Sequence, residues 1–179
     1  MGNYKNIEHD FIDRTMKLIA QYESILHKYK FEEQYNFTLL LNCLLGVIIL
    51  PKERLYSHIP NFRLTKILKS EMGLNESNIN ADYKTLRGLV YALRNSIAHY
   101  SFEIISQTDD YLIDRIVFRT PQGSGNELIA DFKSTELLPF LRYYADWIKS
   151  NLIEDRKRHN RVSEMARFLR TEKSLKFRD

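Results

Sequence analysis

A single cysteine, Cys43, leaves no internal disulfide framework and no thiolate zinc site within one chain. It stands in an apolar run and reads as a small buried hydrophobe rather than a reactive thiol. Proline (4) and glycine (6) are scarce among 179 residues, which excludes collagen-like, mucin-like and disordered classes and leaves helix as the default. Long hydrophobic runs are missing too. The longest, Phe37 to Leu50, is interrupted by Thr38, Asn42 and Gly46, and a bilayer span needs roughly 20 apolar residues. The N-terminal MGNYKNIEHD has no apolar core of a signal peptide, and its match to a myristoylation pattern fails at Asn6. His9, His27, His58 and His159 are scattered and no carboxylates cluster at metal-site spacing, so neither a metal nor a cofactor is expected. These absences together describe one cytoplasmic domain with no membrane attachment.

What is present is ordinary for a globular chain: 44% hydrophobic and 28% charged residues. The charge is unevenly placed. Residues 154–179 carry nine basic and five acidic side chains, whereas the first 153 residues hold 18 of each sign. A neutral body, 1–153, therefore precedes a basic C-terminal helix or tail, 154–179, in which Arg156, Lys157, Arg158 and Arg161 are the candidate contacts for an anionic partner. The bland alternative is a solubilising helix whose cations face water.

Apolar periodicity predicts a helix over about 7–30, and a second over YNFTLLLNCLLGVIIL, closed by Pro51 and buried on all sides. A looser region follows, with a short helix near 64–72. A strongly periodic helix then runs from about Asp82, its N-cap, to Tyr100. Alternating β-branched residues in YLIDRIVFRT, the turn PQGSG and the return ELIADFK predict an inserted β-hairpin at about 111–133. A further helix starts near Ser134, and the basic helix follows it. The fold class is all-α with one small hairpin.

The helix 82–100 carries the chemistry. Leu86, Leu89, Val90, Leu93 and Ile97 fall within about 60° of one another's mean direction and form its core stripe. Opposite them stand Gly88, Ala92, Asn95 and His99, flanked by Tyr91 and Ala98. Small residues in place of Lys and Glu want close contact, either with another helix or with the same helix across a two-fold axis. Asn95 is one turn from His99 and can orient its imidazole. Arg94 lies about 140° from His99 around the axis, so the two converge more easily between two subunits than within one. A histidine in a last helical turn also meets the negative end of the dipole, which favours its protonated form.

The run RNSIAH, Arg94 to His99, resembles the Arg-Asn-x-x-x-His form of the motif of HEPN domains, the higher-eukaryote and prokaryote nucleotide-binding helical family. FIDRT and YNFTLLLNCLLGVIILPKE are similar to a plasmid- and prophage-associated branch of HEPN-family nucleases, and the resemblance covers roughly 8–150. It implies an up-and-down helical bundle forming a homodimer, with a metal-independent endoribonuclease site at the dimer cleft. The catalytic residues would be Arg94, Asn95 and His99: the histidine as general acid or base at the ribose 2′-hydroxyl or the leaving 5′-oxygen, the arginine on the phosphate. RNA is the implied partner, with an antitoxin or regulatory protein beside it, and a toxin or defence role follows. HepT-type toxins carry a Tyr two residues after the His. Ser101 fills that place here and Tyr100 directly follows His99. The rival reading is a non-catalytic HEPN module that binds RNA or protein.

Blander roles stand beside each residue. His99 can cap its helix, and Arg94 can form a structural ion pair with Asp13 or Glu103. Asn42 reads as a core polar group bonded to backbone, or as a support for the motif. Asp13 and Arg14 on the first helix, and Tyr100, are the other supporting candidates. The 21 Tyr and Phe residues are mostly core.

Overall fold

The computed structural model describes residues 4–30, 33–49, 59–106 and 113–176. Helix α1 spans Ile7–Ile25, α2 Asn36–Ile49, α3 Lys66–Glu71, α4 Leu86–Ala98 and α5 Leu137–Lys176; the strands are β1 Asn78–Ile79, β2 Phe102–Ile105, β3 Arg115–Arg119 and β4 Leu128–Lys133. Local chemistry sets the boundaries. The Asn6 side chain accepts from the His9 N–H at 2.9 Å, and Asp10 accepts from the Lys5 and Asn6 N–H groups, so the first turn of α1 is capped from both directions. Thr65 caps α3 through the Leu68 N–H. The far end of α3 closes with Gly73 N–H on Ser70 O and Leu74 N–H on Lys69 O, a Schellman motif whose left-handed residue is Gly73 at φ +76°. A Cβ there would overlap Pro139 at the start of α5, so packing and backbone both demand glycine.

Four helices share one core. α1 packs on α2 and α5, and α2 on α4 and α5. α2 is not buried on all sides as its composition predicts. Leu40, Cys43, Leu44, Val47 and Ile48 are buried, but Thr38 and Asn42, one turn apart, are exposed. Three neighbouring helices cover three sides of α2 and leave that stripe to water, so Asn42 is a surface residue rather than a core polar group. Burial raises the Cys43 thiol above its ordinary range, in keeping with a packed, unreactive side chain. The predicted stop at Pro51 lies outside the described residues.

The predicted hairpin is present as β3–β4, its first two positions, 111 and 112, lying outside the described residues, but it belongs to a larger sheet. The order is β1-β4-β3-β2, all antiparallel. β2 begins three residues after His99 and pairs along β3 from Phe102–Phe118 to Ile105–Arg115. Two- and four-residue strands are too short to show an alternating pattern in sequence. α4 lies against β3 and β4, and Phe118, Phe132, Phe140 and Tyr144 link sheet to helices in a run of neighbouring rings at 5.3–6.2 Å.

The last helix departs from expectation. A single 3-10 turn, Ser134–Glu136, leads into α5, which runs unbroken from Leu137 to Lys176 instead of as two helices. Pro139 sits in the first turn, where its missing N–H has no partner to lose, and no later Pro or Gly interrupts the helix. The change of charge at 153/154 falls within this one helix. Leu137, Phe140, Leu141, Tyr144, Ala145 and Ile148 are buried, whereas the described side chains from Arg156 to Met165 are exposed. Glu136 ties this start to β1. Its carboxylate accepts from the Asn75, Glu76 and Ser77 N–H groups at 2.9 Å and from the Ser77 hydroxyl at 2.6 Å, while Ser77 Oγ accepts from the Lys133 N–H at 3.0 Å.

Candidate active site

α4 begins later than its apolar pattern predicts. Asp82 lies in a turn with its N–H on Asn80 Oδ1, and Thr85 is the N-cap, accepting from Gly88 N–H at 3.2 Å. The reason is tertiary: Arg63 and Thr85 form a β-bridge that holds residues 82–85 extended or turned until the helix starts. The core stripe is as read, Leu86, Leu89, Val90, Leu93 and Ile97 all being buried. The opposite face is graded rather than uniform. Ala92 is buried, Gly88, Arg94 and Asn95 are half-buried, and Tyr91, Ala98 and His99 are exposed.

The helix ends on the motif. His99 is the C-cap, its backbone N–H on Asn95 O; Tyr100 N–H reaches Ile97 O and Ser101 N–H reaches Ser96 O at 2.8 Å. This repeats the Schellman motif that ends α3, with Tyr100 at φ +57° in the place that Gly73 takes there. A bulky residue rarely adopts that conformation. Ser96, fully buried, locks the turn by donating its hydroxyl to Ser101 O at 2.7 Å. The turn presents His99 and the Tyr100 ring, 86% exposed, to solvent, with the ring against Phe102 at 5.4 Å. Ser96 and Phe102 were not legible as site residues. A serine inside an apolar-periodic helix and a phenylalanine in a short strand carry no distinctive signal.

Arg94 is unspent. Its Nε is shut off from solvent and has no hydrogen-bond partner, and among the described residues its guanidinium makes no ion pair. The carboxylates that sequence offered it are engaged elsewhere: Asp13 with Lys17 at 2.8 Å and Glu103 with Arg119 at 3.7 Å. A half-buried guanidinium without an anion is costly unless a ligand completes it. Asn95 and His99 share the turn, but their side chains form no hydrogen bond with each other, so the predicted orienting contact is not made in this chain.

The other candidates fall in three places. Asp13, on α1, is held by Lys17, whose hydrogen bond lowers the carboxyl below its ordinary range despite partial burial, with Lys149 and His9 adding to the effect. Arg14 lies over the Tyr4 ring at 4.4 Å, and Asn42 faces water on α2. Arg156, Lys157, Arg158 and Arg161 are exposed on α5; Lys157 pairs with Glu154 at 3.0 Å. Arg158 lines a cleft with Pro60, Arg87, Trp147 and Asn151. Arg87 is twelve residues before His99, about 18 Å along the axis, so this cation meets α4 at the end remote from the motif. Among the described residues no group of three His, Cys, Asp or Glu is placed to hold a metal ion, and no helix is long and apolar enough to cross a membrane.

A mainly helical domain with a small antiparallel sheet, ending one central helix on Arg-Asn-x-x-x-His, defines the class as a HEPN domain. The chain belongs to the family described as HEPN pEK499 p136, which matches residues 1–155. HEPN domains are often ribonucleases or RNA binders and often dimeric. No curated protein and no solved structure matches the chain.

Proposed function

We propose that this protein is a metal-independent endoribonuclease whose site is formed by Arg94, Asn95 and His99 at the exit of α4, paired with their copies across a two-fold axis. The observation that supports it most is Arg94, a half-buried guanidinium with a solvent-excluded Nε and no protein anion, on the helix that also exposes His99. A phosphodiester supplies the missing anion. One His99 takes the proton of the ribose 2′-hydroxyl as that oxygen bonds to phosphorus. The P–O5′ bond breaks and the 5′-oxygen leaves with a proton from the second His99. The products are a 2′,3′-cyclic phosphate and a 5′-hydroxyl. Arg94 neutralises the charge that builds on the phosphorane oxygens, where a fixed donor is most effective. DNA, without a 2′-hydroxyl, is not cut. The exposed cations Arg156, Lys157, Arg158 and Arg161 of α5 draw RNA to the protein and contact its phosphates. A toxin or defence effector in the cytoplasm, held in check by an antitoxin or regulatory protein, is the role this activity fits.

Labelled structured RNA incubated with the protein in EDTA tests the reading. Wild type should release fragments ending in 2′,3′-cyclic phosphate. His99→Ala should lower the rate by about 10²- to 10⁴-fold, the usual worth of a general acid or base, with the fold unchanged by circular dichroism. Binding without cleavage by both proteins would instead establish the inert RNA-binding module.

A further inference from the structure

We infer that a second nucleotide-phosphate site lies at the other end of α4, in the pocket of about 290 Å³ lined by Arg63, Leu64, Lys69, Ile79, Tyr83 and Lys84. Three cations line this pocket and no carboxylate does. The body of the chain, residues 1–153, is neutral, so the bias is local rather than compositional. None of Arg63, Lys69 or Lys84 forms an ion pair or a side-chain hydrogen bond among the described residues, although other surface cations, such as Lys17, Arg119 and Arg142, do. Three cations lining one hollow without a counter-charge give an anion a favourable place to bind.

The pocket is held by backbone rather than by mobile side chains. Arg63 bridges Thr85, Leu64 N–H donates to Lys84 O at 2.8 Å, and Tyr83 N–H donates to Asn80 O at 3.0 Å. Asn80 is itself pinned to the sheet, its N–H on Ile129 O and its side-chain amide on Leu128 O. A ligand therefore meets a preformed site and does not have to order it. Beside the cations, Leu64, the buried Ile79 and the half-buried Tyr83 give an apolar and aromatic wall. Burial first, then Glu127 and Asp82, raise the Tyr83 phenol, so at neutral pH it is an uncharged O–H donor. Cations against an aromatic wall are the combination that holds a phosphate and the base or ribose attached to it.

Lys84 precedes the N-cap of α4 and His99 is its C-cap, which separates the pocket from the motif by about 20 Å along the helix. A strand cut at His99 thus has a second anchor on the same protomer. This inference rests on RNA as the ligand but not on cleavage, and the test keeps the two apart by using a 2′-O-methyl oligoribonucleotide, whose 2′-oxygen cannot attack.

Binding of that fluorescent single strand is measured by anisotropy at several salt concentrations for three full-length proteins. They are wild type, the combined variant Arg63→Ala, Lys69→Ala and Lys84→Ala, and a charge-matched control with Lys5→Ala, Lys28→Ala and Lys30→Ala. Adenosine 5′-monophosphate is titrated calorimetrically against the first two. The pocket variant should bind the strand about tenfold more weakly and lose about 0.7 of log–log salt slope for each phosphate released, while the control changes less. Binding of the mononucleotide by wild type but not by the pocket variant would also support the site and identify a free nucleotide as its occupant. Equal strand binding by pocket variant and control, with no mononucleotide bound, overturns the inference, as does failure of wild type to bind either probe.

Discussion

Tyr100 holds a backbone conformation that suits glycine, at φ +57°, and exposes most of its ring beside His99. A non-glycine residue there costs on the order of 1–3 kcal/mol. Two terms offset part of that cost: the ring contact with Phe102, about 0.5–1.5 kcal/mol, and the lower freedom of Tyr than Gly in the unfolded chain, about 0.5–1 kcal/mol. A Tyr100→Gly variant should therefore unfold within a few degrees of wild type and yet cleave RNA at least tenfold more slowly, because the ring beside the site is gone. Calorimetry beside the cleavage assay separates this from a structural role, in which stability would fall instead. Arg94, Asn95 and His99 stand out in sequence as candidates because a spaced motif is written in residue types. The conformation of Tyr100 was not, since nothing local distinguishes a Tyr at a helix exit from one within a helix. Nor was the orphaned Nε of Arg94, which depends on which carboxylates the fold brings near.

Helices and strands are joined here by a few polar nodes, among them Glu136, which accepts from four donors. Burial by itself would raise its pKa. The Ser77 hydroxyl and the N–H groups of Glu76, Asn75 and Ser77 more than offset that, and hold the carboxyl below its ordinary range. A carboxyl with a lowered folded pKa binds its proton less readily in the native state than in the unfolded one. Its stabilisation is complete above the unfolded value, near 4.3 for glutamate as a rough reference, and is lost as pH falls through the lower folded value. Glu136→Gln should cost about 2 kcal/mol at pH 7, because its amide cannot accept from four donors, and should flatten the acid limb of stability. Urea unfolding at pH 7 and pH 3 reads both effects; an unchanged difference between the two pH values would remove Glu136 from the acid response. At this scale the long periodic helices were readable from spacing. The continuity of α5 was not, because a change in charge sign does not end a helix when no Pro or Gly follows.

For the whole molecule, the decisive feature is the exposed end of α4 at Ala98 and His99. Its core stripe meets α2 and the sheet, and the side chains of Ala98 and His99 are exposed. If two copies join there, as the proposed cleft requires, Ala98→Arg should convert a dimer to a folded monomer by sedimentation and abolish cleavage with it, since the buried residues of α4 are untouched. A wild-type chain that is monomeric yet cleaves would discard the two-fold cleft. Sequence alone was enough for the helical class, the core face of α4, the hairpin and the motif, because each is encoded in the spacing of nearby residues. The short outer strands, the open stripe of α2 with Asn42 on it, the single 40-residue α5 and the cationic pocket at the start of α4 were settled only by folding. Whether a face is covered or a cation is paired depends on which distant segments pack beside it, and residue spacing along one element does not contain that information.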